Sequence, residues 1–533
     1  MRAADSLARR LAEAGCRRAF GMPGGEVLTL LDALGRAGIA FHLVKHENSG
    51  GFMAEGGSHM DGAPGVLVAT LGPGILNAVN VIANAWQDRV PLIVLSGAVD
   101  ADDALRYTHQ VLDHRAVLAP VTKATFTLSA AEADTIADKA LAIATEGRPG
   151  PVLIDVPISV ADAPAGTARR RRARPAPVAP CGAALDEARA WVSAAERPLI
   201  VAGLDVLTDR GEAALSRTAR RLGWPVVTSY KAKGILDERD PLALGGAGLS
   251  PRADAILGDV VRAADTVLCL GYDPIEMRPG WRDLWDPARQ RVIDVHAAPN
   301  HHYMHHAGLS FVADTAASLA ALTDGMTPRP VWPGGEIASA RAALAETFPG
   351  DEDWGPAAVI AEARAAFPDD AIATVDSGAH RILLSQMWTC ARPRTLLQST
   401  GLCTMGCAVP LAAGAKLADP AREVVAFTGD AGLLMVAGEL ATLAEMGLAL
   451  TVVVFVDARL ALIDLKQRQR QLPRTGVGFG RHDYAGLARS LGGTGHRVET
   501  RAELRAALAE ASASDRFTLI AAEIDEDAYD GRL

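Results

Sequence analysis

Two aspartates, each placed directly after an apolar run, have residue types and a spacing that could do chemistry. Asp430 follows the run EVVAFTG, and Asp457 follows LALTVVVFV, 27 positions further along the chain. Between them, the apolar residues of MVAGELATLAEMG recur at helical spacing and predict one helix that stops at Gly447. A right-handed strand-helix-strand crossover places both strand ends at the same edge of a parallel sheet. We therefore expect the two aspartates to share one crevice.

Two carboxylates at one buried sheet edge require a cation, because an unpaired buried ion costs several kcal/mol. Oxygen ligands are those that Mg²⁺ prefers, and a helix N-terminus beside them favours a phosphate group. The pattern therefore indicates a Mg²⁺ ion that holds an anionic ligand. The alternative is that each aspartate caps a helix or a strand in contact with water, which is the ordinary role of an isolated Gly-Asp pair.

The totals of the chain indicate a multidomain globular protein that acts on small molecules. Its 533 residues exceed what one core holds, and roughly 100–200 residues per domain predict about three domains. With 49% hydrophobic and 22% charged residues, each domain can bury an ordinary core. The formal net charge of −10 argues against binding to nucleic acid or to a membrane surface, because both usually require a basic face.

The cysteines and the N-terminal residues predict a cytoplasmic protein. The six cysteines occur singly, without the CxxC pairs of a zinc site or the spacing of a disulfide framework. The amphipathic stretch AADSLARRLAEAG near the N-terminus does not have the pattern of a secretory signal. No apolar run reaches the ~18 residues of a membrane span, so none is expected.

Short β-rich runs alternate with helical patterns along the chain, which predicts an α/β fold with three doubly wound parallel-sheet domains. Two segments rich in proline and charge are interpreted as linkers. The predicted boundaries are a first domain at 1–163, a linker at 164–182, a central domain at 183–325, a second linker at 326–344 and a last domain at 345–533. The arginine run at 169–172 is interpreted as a solvated tether.

The sequence resembles a known family over nearly its whole length. GDAGLL followed by FVDAR is similar to the thiamine-diphosphate signature, a Gly-Asp-Gly followed at this distance by an Asn-Asn pair. The further stretches resemble the acetolactate synthase group of thiamine-diphosphate enzymes in the same order: FGMPGGEV, VKHENSG, GVLVATLGPGILNAVNVIANAWQDRVPLIVLSGAV, THQVLDHRAVLAPVTK, GRPGPVLIDVP, GYDPIE and GVGFGRHDYAGLARSLGG. The likeness is greatest to the FAD-independent, catabolic members, which carry GYDPIE where the FAD-dependent enzymes have Arg-Phe-Asp-Asp-Arg.

The resemblance implies thiamine diphosphate and Mg²⁺ as cofactors and implies that FAD is not needed. It assigns binding of the thiamine pyrimidine to the first domain and binding of the diphosphate and Mg²⁺ to the last. It implies decarboxylation of a 2-oxo acid, with pyruvate as the expected donor, followed by carboligation. In this family the cofactor lies between the first domain of one subunit and the last domain of its partner. We therefore expect a homodimer or homotetramer with sites at the subunit interface.

The residues that the resemblance assigns to catalysis lie in the first domain. The family's glutamate, which ends a strand and hydrogen-bonds the pyrimidine ring, falls on Glu47 in VKHENSG. The family's catalytic glutamine, which follows the third strand, falls on Gln110, with His109 beside it. Without the resemblance, an isolated His-Glu pair after a strand is typical of a surface turn.

The residues assigned to the cofactor lie mainly in the last domain. By the resemblance, Mg²⁺ is held by Asp430, Asp457 and the backbone carbonyl of Arg459. Met405 matches the family's bulky residue under the bent cofactor, which is also a packing role. The other residues assigned to cofactor binding are Gly378, His380, Ala431, Gly432 and, in the first domain, Asn77. Helix capping is an equal alternative for the asparagine.

Two positions depart from the family pattern and concern the substrate. Glu26 stands where the FAD-independent synthases carry a lysine suited to an acceptor carboxylate, and Cys403 stands where they carry a glutamine. Three functions stay open: an acetolactate synthase, a related decarboxylase, lyase or carboligase with another donor or acceptor, and a non-catalytic relative. The histidine cluster HHYMHH at 301–306 lies outside these positions and is interpreted as structural.

Overall fold

The computed structural model describes the backbone of residues 1–533 and every side chain except that of Glu276, so the last residue of the GYDPIE motif lies outside the described side chains. The chain forms three six-stranded sheets whose strands pair in parallel. This confirms the predicted α/β fold with three doubly wound parallel sheets. Among the described residues, no helix is both long enough and apolar enough to cross a membrane.

The first sheet has the strand order β2-β1-β3-β4-β6-β5. Its strands are β1 (Arg18–Met22), β2 (Ala40–Leu43), β3 (Gly65–Ala69), β4 (Leu92–Ala98), β5 (Ala124–Thr127) and β6 (Pro151–Pro157). Its helices are α1 (Ala3–Glu13), α2 (Leu28–Arg36), α3 (Glu47–Asp61), α4 (Pro73–Asn77), α5 (Val79–Gln87), α6 (Ala101–Ala104), α7 (His114–Leu118), α8 (Ala133–Thr145) and α9 (Ile158–Asp162). Strand β3 is buried throughout, as expected for a strand covered on both faces.

The central sheet has the order β12-β11-β10-β7-β8-β9. Its strands are β7 (Pro198–Ala202), β8 (Val226–Thr228), β9 (Ala243–Gly246), β10 (Thr266–Leu270), β11 (Arg291–His296) and β12 (Leu309–Val312). Its helices are α10 (Ala183–Ala194), α11 (Asp205–Thr208), α12 (Glu212–Leu222), α13 (Pro251–Ala263) and α14 (Thr315–Leu322). Neighbouring residues of β7 belong to different apolar clusters, Leu199 to one and Ile200 to the other, because successive side chains point to opposite faces.

The two predicted linkers differ in structure. The segment between α9 and α10 has no helix or strand, and its arginines pair with acidic residues of the first domain, for example Arg169 with Glu132 at 3.1 Å. The second segment, predicted as a linker over 326–344, contains the start of α15 (Glu336–Thr347). Ile337 and Ala340 of this helix are buried in the same cluster as apolar residues of α13, which explains why the segment is helical.

The third sheet has the order β14-β13-β15-β16-β18-β17, the same arrangement as the first. Its strands are β13 (Ile372–Val375), β14 (Leu396–Gln398), β15 (Val424–Gly429), β16 (Thr451–Val456), β17 (Thr494–Val498) and β18 (Thr518–Glu523). Its helices are α16 (Pro356–Ala366), α17 (Ala379–Met387), α18 (Ala408–Ala418), α19 (Asp430–Met435), α20 (Glu439–Glu445), α21 (Ala461–Gln469), α22 (Tyr484–Ser490) and α23 (Arg501–Ser512).

The segment MVAGELATLAEMG differs from the single helix that its periodicity predicts. Helix α19 ends at Met435, and α20 begins only at Glu439. The turn at 436–438 contains a glycine and directs Glu439 towards the first domain. There its carboxylate accepts hydrogen bonds from the backbone N–H groups of Lys45 and His46, both at 3.0 Å. A tertiary contact therefore replaces the continuous helix.

The first and third domains pack through α3 and α18. A methyl group added at Gly56 would lie 2.2 Å from the carbonyl oxygen of Leu411, and one added at Gly414 would lie 1.9 Å from that of Met53. The two helices approach this closely because both contact positions have no side chain. Residues of both domains consequently belong to one buried apolar cluster.

Candidate active site

A cavity of about 190 Å³ lies at the carboxyl ends of β13, β15 and β16. This is the edge at which open parallel sheets bind ligands. The sequence-predicted residues that line the cavity are Gly378, His380, Met405, Ala431, Gly432, Asp430, Asp457 and Arg459. The fold thus brings together every candidate residue of the last domain.

Asp430 is the first residue of α19, and Asp457 follows β16 directly. Asp430 accepts hydrogen bonds from the backbone N–H groups of Ala431 at 2.8 Å and Ala458 at 2.7 Å. Burial raises the pKa of Asp430, and burial together with the charge of Asp430 raises the pKa of Asp457 to about 7. Two carboxylates are therefore held close together in a site that disfavours their charge.

The chemistry of this pair fits a divalent cation. A Mg²⁺ ion would compensate both charges with the oxygen ligands it prefers. The backbone bends sharply between the second aspartate and Arg459, since Ala458 has a left-handed φ of 56°. Arg459 forms an isolated antiparallel β-bridge with Gly478. The hydrogen bonds of this bridge use Ala458 O and Leu460 N, which leaves the Arg459 carbonyl out of the bridge. The Arg459 side chain instead pairs with Glu526. These residues can hold Mg²⁺.

Asp376 organises the same cavity, although the sequence analysis did not single it out. Its fully buried carboxylate accepts hydrogen bonds from His380 Nε2 at 2.8 Å, Gly406 N at 2.7 Å and Thr428 Oγ1 at 3.0 Å. A methyl group at Gly432 would lie 2.1 Å from Asp376 Oδ2, so only glycine fits there. The signal in the sequence is the one that marks Asp430 and Asp457, because Asp376 directly follows the apolar run AIATV that contains β13.

Glu47 lies in the first domain and is 3% exposed. It is the first residue of α3, four positions after β2, whereas the resemblance placed it at the end of a strand. Asn77 Nδ2 donates a hydrogen bond to Glu47 Oε2 at 3.0 Å. Asn77 ends α4 and so does not cap a helix N-terminus. Its contact places it beside the candidate catalytic carboxylate.

Glu439 is a second residue that the sequence analysis missed. Its carboxylate, from the third domain, holds the backbone of Lys45 and His46 directly before Glu47. The other carboxylate oxygen, Oε2, accepts a hydrogen bond from Thr442 Oγ1 at 2.7 Å. Burial raises the pKa of Glu439. No local pattern marks this glutamate, because its partners lie about 390 residues away in the sequence.

Gln110 and His109 are exposed and do not line the Asp430 cavity. They follow β4 and α6, rather than the third strand as the resemblance implied. Gln110 has a left-handed backbone with φ of 59°, and its Cβ packs near Gly72, where an added methyl group would lie 3.2 Å away. The lining of the cavity comes from the third domain, so the structure of one chain does not join these residues, or Glu47, to Asp430.

The histidine cluster at 301–306 has contacts typical of packing. His305 stacks on Trp285 with ring centroids 4.2 Å apart, and its Nε2 lies 2.9 Å from the Tyr272 hydroxyl. Burial lowers the pKa of His305 to about 3. Across the side chains that the structure describes, no group of three or more His, Cys, Asp or Glu residues has a geometry suited to a metal ion.

Three family models match the chain, one for each domain. They describe the N-terminal TPP-binding domain (residues 1–117), the central domain (residues 185–322) and the C-terminal TPP-binding domain (residues 376–522) of thiamine pyrophosphate enzymes. Together with the parallel sheets and the carboxylate pair, these matches define a thiamine-diphosphate-binding protein. The chain belongs to the thiamine pyrophosphate enzyme family.

Curated relatives match over most of the chain. The catabolic acetolactate synthase of Raoultella terrigena is 28% identical over 98% of this chain and 95% of its own length. The acetolactate synthase large subunit of Parasynechococcus marenigrum is 31% identical over 97% of this chain and 86% of its own length. A probable 2-ketoarginine decarboxylase of Pseudomonas aeruginosa is 31% identical over 83% of this chain and 79% of its own length. Relatives whose names indicate different substrates thus have similar sequence identity to this chain.

Proposed function

We propose that the protein is a thiamine-diphosphate- and Mg²⁺-dependent enzyme that decarboxylates a 2-oxo acid and transfers the remaining acyl unit to an acceptor, with pyruvate as donor and without FAD. The observation that carries this proposal is the pair of buried carboxylates, Asp430 and Asp457, at one sheet edge beside His380 and Met405. The similarity to acetolactate synthases over nearly the whole chain supports the reaction type.

The residues of this chain divide the work between two half-sites. When bound, thiamine diphosphate supplies a nucleophilic carbon and takes up the electrons released with CO₂. Asp430, Asp457 and the Arg459 carbonyl would hold Mg²⁺, and His380 with the glycines at 378 and 432 would hold the diphosphate. Glu47 keeps one carboxylate oxygen on Asn77, while Oε1 faces the open side of Gly74 and can exchange a proton with the pyrimidine ring.

We extend the proposal to a homodimer or homotetramer in which each active site joins the first domain of one subunit to the third domain of another. Both half-sites carry exposed apolar side chains, which soluble monomers usually avoid in clusters. At the first half-site Leu76, next to Asn77, is 46% exposed, and near the second Met435 is 66% exposed. The six cysteines are free thiols, four of them buried, which supports the reducing cytoplasm as location.

The test is turnover of pyruvate by the purified protein with thiamine diphosphate and Mg²⁺ and without FAD. We expect CO₂ release and acetolactate, and we expect Glu47→Gln to abolish both while leaving the fold intact. Cofactor binding without pyruvate turnover would overturn the pyruvate assignment. Wild-type turnover in Glu47→Gln would overturn the proposed catalytic site.

A second candidate function is decarboxylation of a 2-oxo acid with a cationic side chain. Glu26 follows β1 and accepts a hydrogen bond from Thr70 Oγ1 at 2.7 Å, at the same sheet edge as Glu47. A methyl group at Gly74 would lie 2.8 Å from Thr70 Cγ2 and 3.1 Å from Glu47 Oε1, so the two glutamates flank one threonine. A carboxylate there repels an acceptor carboxylate and attracts a cation.

The similarity to a probable 2-ketoarginine decarboxylase supports this second candidate. The discriminating experiment compares kcat/KM for pyruvate and for 2-ketoarginine in the wild type and in Glu26→Gln. A cationic preference that falls about tenfold in Glu26→Gln would favour the second candidate. An unchanged preference for pyruvate in both proteins would remove it.

A further inference from the structure

A second cavity, of about 670 Å³, lies where the three domains meet. Its lining includes the end of α3 and the residues just before β4, both in the first domain. It also includes Arg394 of the third domain, two positions before β14. The first sheet therefore presents its amino edge here, opposite the carboxyl edge that carries Glu47. The cavity shares no lining residue with the Asp430 cavity. It is therefore a site separate from the proposed cofactor site.

One guanidinium group joins all three domains at this cavity. Arg394, from the third domain, donates hydrogen bonds from Nη1 to the His59 carbonyl at 3.0 Å and from Nη2 to the Leu207 carbonyl at 3.3 Å. These carbonyls belong to the first and the central domain. Three more arginines line the cavity: Arg89 of the first domain, Arg174 of the first linker and Arg210 of the central domain. A methyl group at Gly62 of the first domain would lie 3.9 Å from Arg210 Nη2.

Two of the three carboxylates in the lining pair with cations other than the lining arginines. Asp88 lies 3.1 Å from Lys231 Nζ, and Asp61 pairs with Arg18. The Glu212 carboxylate attracts the Arg394 guanidinium, whereas the like charge of Arg210 repels it. Burial lowers the pKa of Arg394; Glu212 opposes this shift and Arg210 adds to it. The arginines thus exceed the carboxylates available to them, which favours an anion.

The backbone around this cavity is strained at its arginines. Of the ten non-glycine residues with positive φ in the described chain, three line this one cavity: Arg89 (58°), Arg210 (57°) and Arg394 (59°). Left-handed backbone is costly for residues with a Cβ and persists where the surrounding structure imposes it, often at ligand sites. Arg89 is committed to Asp273 through a hydrogen bond of 2.9 Å. Arg394 instead donates to neutral backbone carbonyls, so neither of these hydrogen bonds pairs its charge with a carboxylate.

Part of the cavity lining is apolar. Leu207, Leu396 and Leu397 line it and are at most 5% exposed. A cavity of this volume is within the range of small-molecule sites, which combine an apolar wall with a few polar groups. We propose that the cavity binds an organic phosphate of the nucleoside diphosphate class, with its phosphates on Arg174, Arg210 and Arg394 and its ring against the leucines. Such a ligand would contact all three domains and stabilise their arrangement.

The test uses the full chain, saturated with thiamine diphosphate and Mg²⁺ so that the diphosphate half of the cofactor site is filled. ADP is the probe, and calorimetry gives its affinity. We expect one ADP per chain, and a loss of affinity of about tenfold or more in Arg210→Asn, as for one charge-assisted hydrogen bond. Asparagine is chosen because it tolerates a left-handed backbone. Arg289→Ala, at a side chain 86% exposed on the central domain, is the matched control and should not change the affinity.

Arg394→Asn is the second variant, because it removes the guanidinium that joins the domains. It should also weaken ADP binding, and ADP should raise the thermal midpoint of the wild type but not of either variant. Inorganic diphosphate, which has no ring, should bind more weakly than ADP. The proposal is overturned if ADP does not bind the saturated enzyme, or if Arg210→Asn and Arg394→Asn bind it as tightly as the wild type. Equal affinities for inorganic diphosphate and ADP would overturn the nucleoside part.

Discussion

Asp376 shows how one carboxylate sets the shape of the cofactor cavity. Its two oxygens accept from a helix side chain, a loop amide and a strand hydroxyl, which come from three separate segments of the third domain. One of these contacts orients His380, and another fixes the turn that carries Met405 into the cavity. A buried acceptor with several donors is costly to remove, because each donor loses its partner.

Replacement of Asp376 by alanine should weaken both the fold and the cofactor site. Three buried donors would lose their acceptor, and we expect the free energy of unfolding to fall by about 2–4 kcal/mol and the affinity for thiamine diphosphate to fall at least tenfold. Asp376→Asn keeps one acceptor oxygen, so its free energy of unfolding and its cofactor affinity should lie between those of the wild type and of Asp376→Ala. Denaturant titration and cofactor titration measure these effects, with Asp515→Ala, 88% exposed, as control. Wild-type cofactor affinity in Asp376→Ala would contradict this role.

A buried carboxylate of the central domain makes stability depend on pH. Asp205 is 1% exposed and accepts a hydrogen bond from Ala297 N at 3.0 Å, and burial raises its pKa from 3.8 to about 6. The folded chain therefore binds this proton more tightly than the unfolded chain. Stability from this group is full at low pH and is lost as pH rises from about 4 to about 6, by on the order of 3 kcal/mol.

Asp205→Asn should remove that pH dependence, because the amide oxygen can still accept from Ala297 N but carries no charge. The thermal midpoint of the variant relative to the wild type should increase between about pH 4.5 and about pH 7.5. Midpoints recorded across this range measure the difference. A constant difference between the two proteins would show that Asp205 titrates normally.

The residues of the candidate site divide into those that the sequence could indicate and those that it could not. Asp430 and Asp457 could be singled out because each directly follows an apolar run, so their position depends on local sequence. Asp376 also directly follows a short apolar run, strand β13, so its position carried the same signal, but its partner Gly406 lies distant in the sequence. Glu439 could not be singled out, because its partner Lys45 lies in another domain. Exposure of Gln110 is likewise set by tertiary structure and has no local signal.

At the scale of elements, strands with long apolar runs were predictable and short edge strands were not. The buried strands β15 and β16 each have a run of valines and other apolar residues. The edge strand β14 has three residues, and β17 contains glycine, histidine and arginine, so neither has the composition of a strand. The break between α19 and α20 was missed because the helical period continues through it while Glu439 binds another domain.

The contact between α3 and α18 gives a prediction at the scale of elements. Gly414→Ala would place a methyl group 1.9 Å from the Met53 carbonyl oxygen, so the helices must separate. We expect the free energy of unfolding to fall by at least about 2 kcal/mol. Gly35→Ala in α2 is the matched control, because nothing lies within 4 Å of the added methyl group, and it should stabilise by about 0.5–1 kcal/mol. Equal stabilities of the two variants would contradict the close packing.

At the scale of the whole molecule, we propose that each active site is shared between two chains. Glu47 lies in the first domain, and the Asp430 cavity is lined by the third domain alone. If each active site takes one half from each subunit, Glu47→Gln and Asp430→Asn should be inactive alone but active when mixed. A mixed dimer has one site with both changes and one site with neither. Random reassociation should restore about a quarter of wild-type activity.

The mixing experiment uses separately purified variants that are dissociated and reassociated together. Each variant treated alone in the same way is the control and should stay inactive. Activity regained only in the mixture would support sites at the subunit interface. No recovery in a mixture that contains mixed dimers would place Glu47 and Asp430 in the same chain's site.

We propose that the Asp430 cavity binds thiamine diphosphate through Mg²⁺, which a binding titration can measure. Thiamine diphosphate is added to cofactor-free protein, with and without Mg²⁺, for the wild type, Asp430→Asn and the exposed control Asp515→Asn. We expect one cofactor per chain, binding that requires Mg²⁺, and an affinity at least about tenfold weaker in Asp430→Asn only. Binding that is unaffected by removal of Mg²⁺ and by Asp430→Asn would show that the cofactor is not held through Mg²⁺ at Asp430.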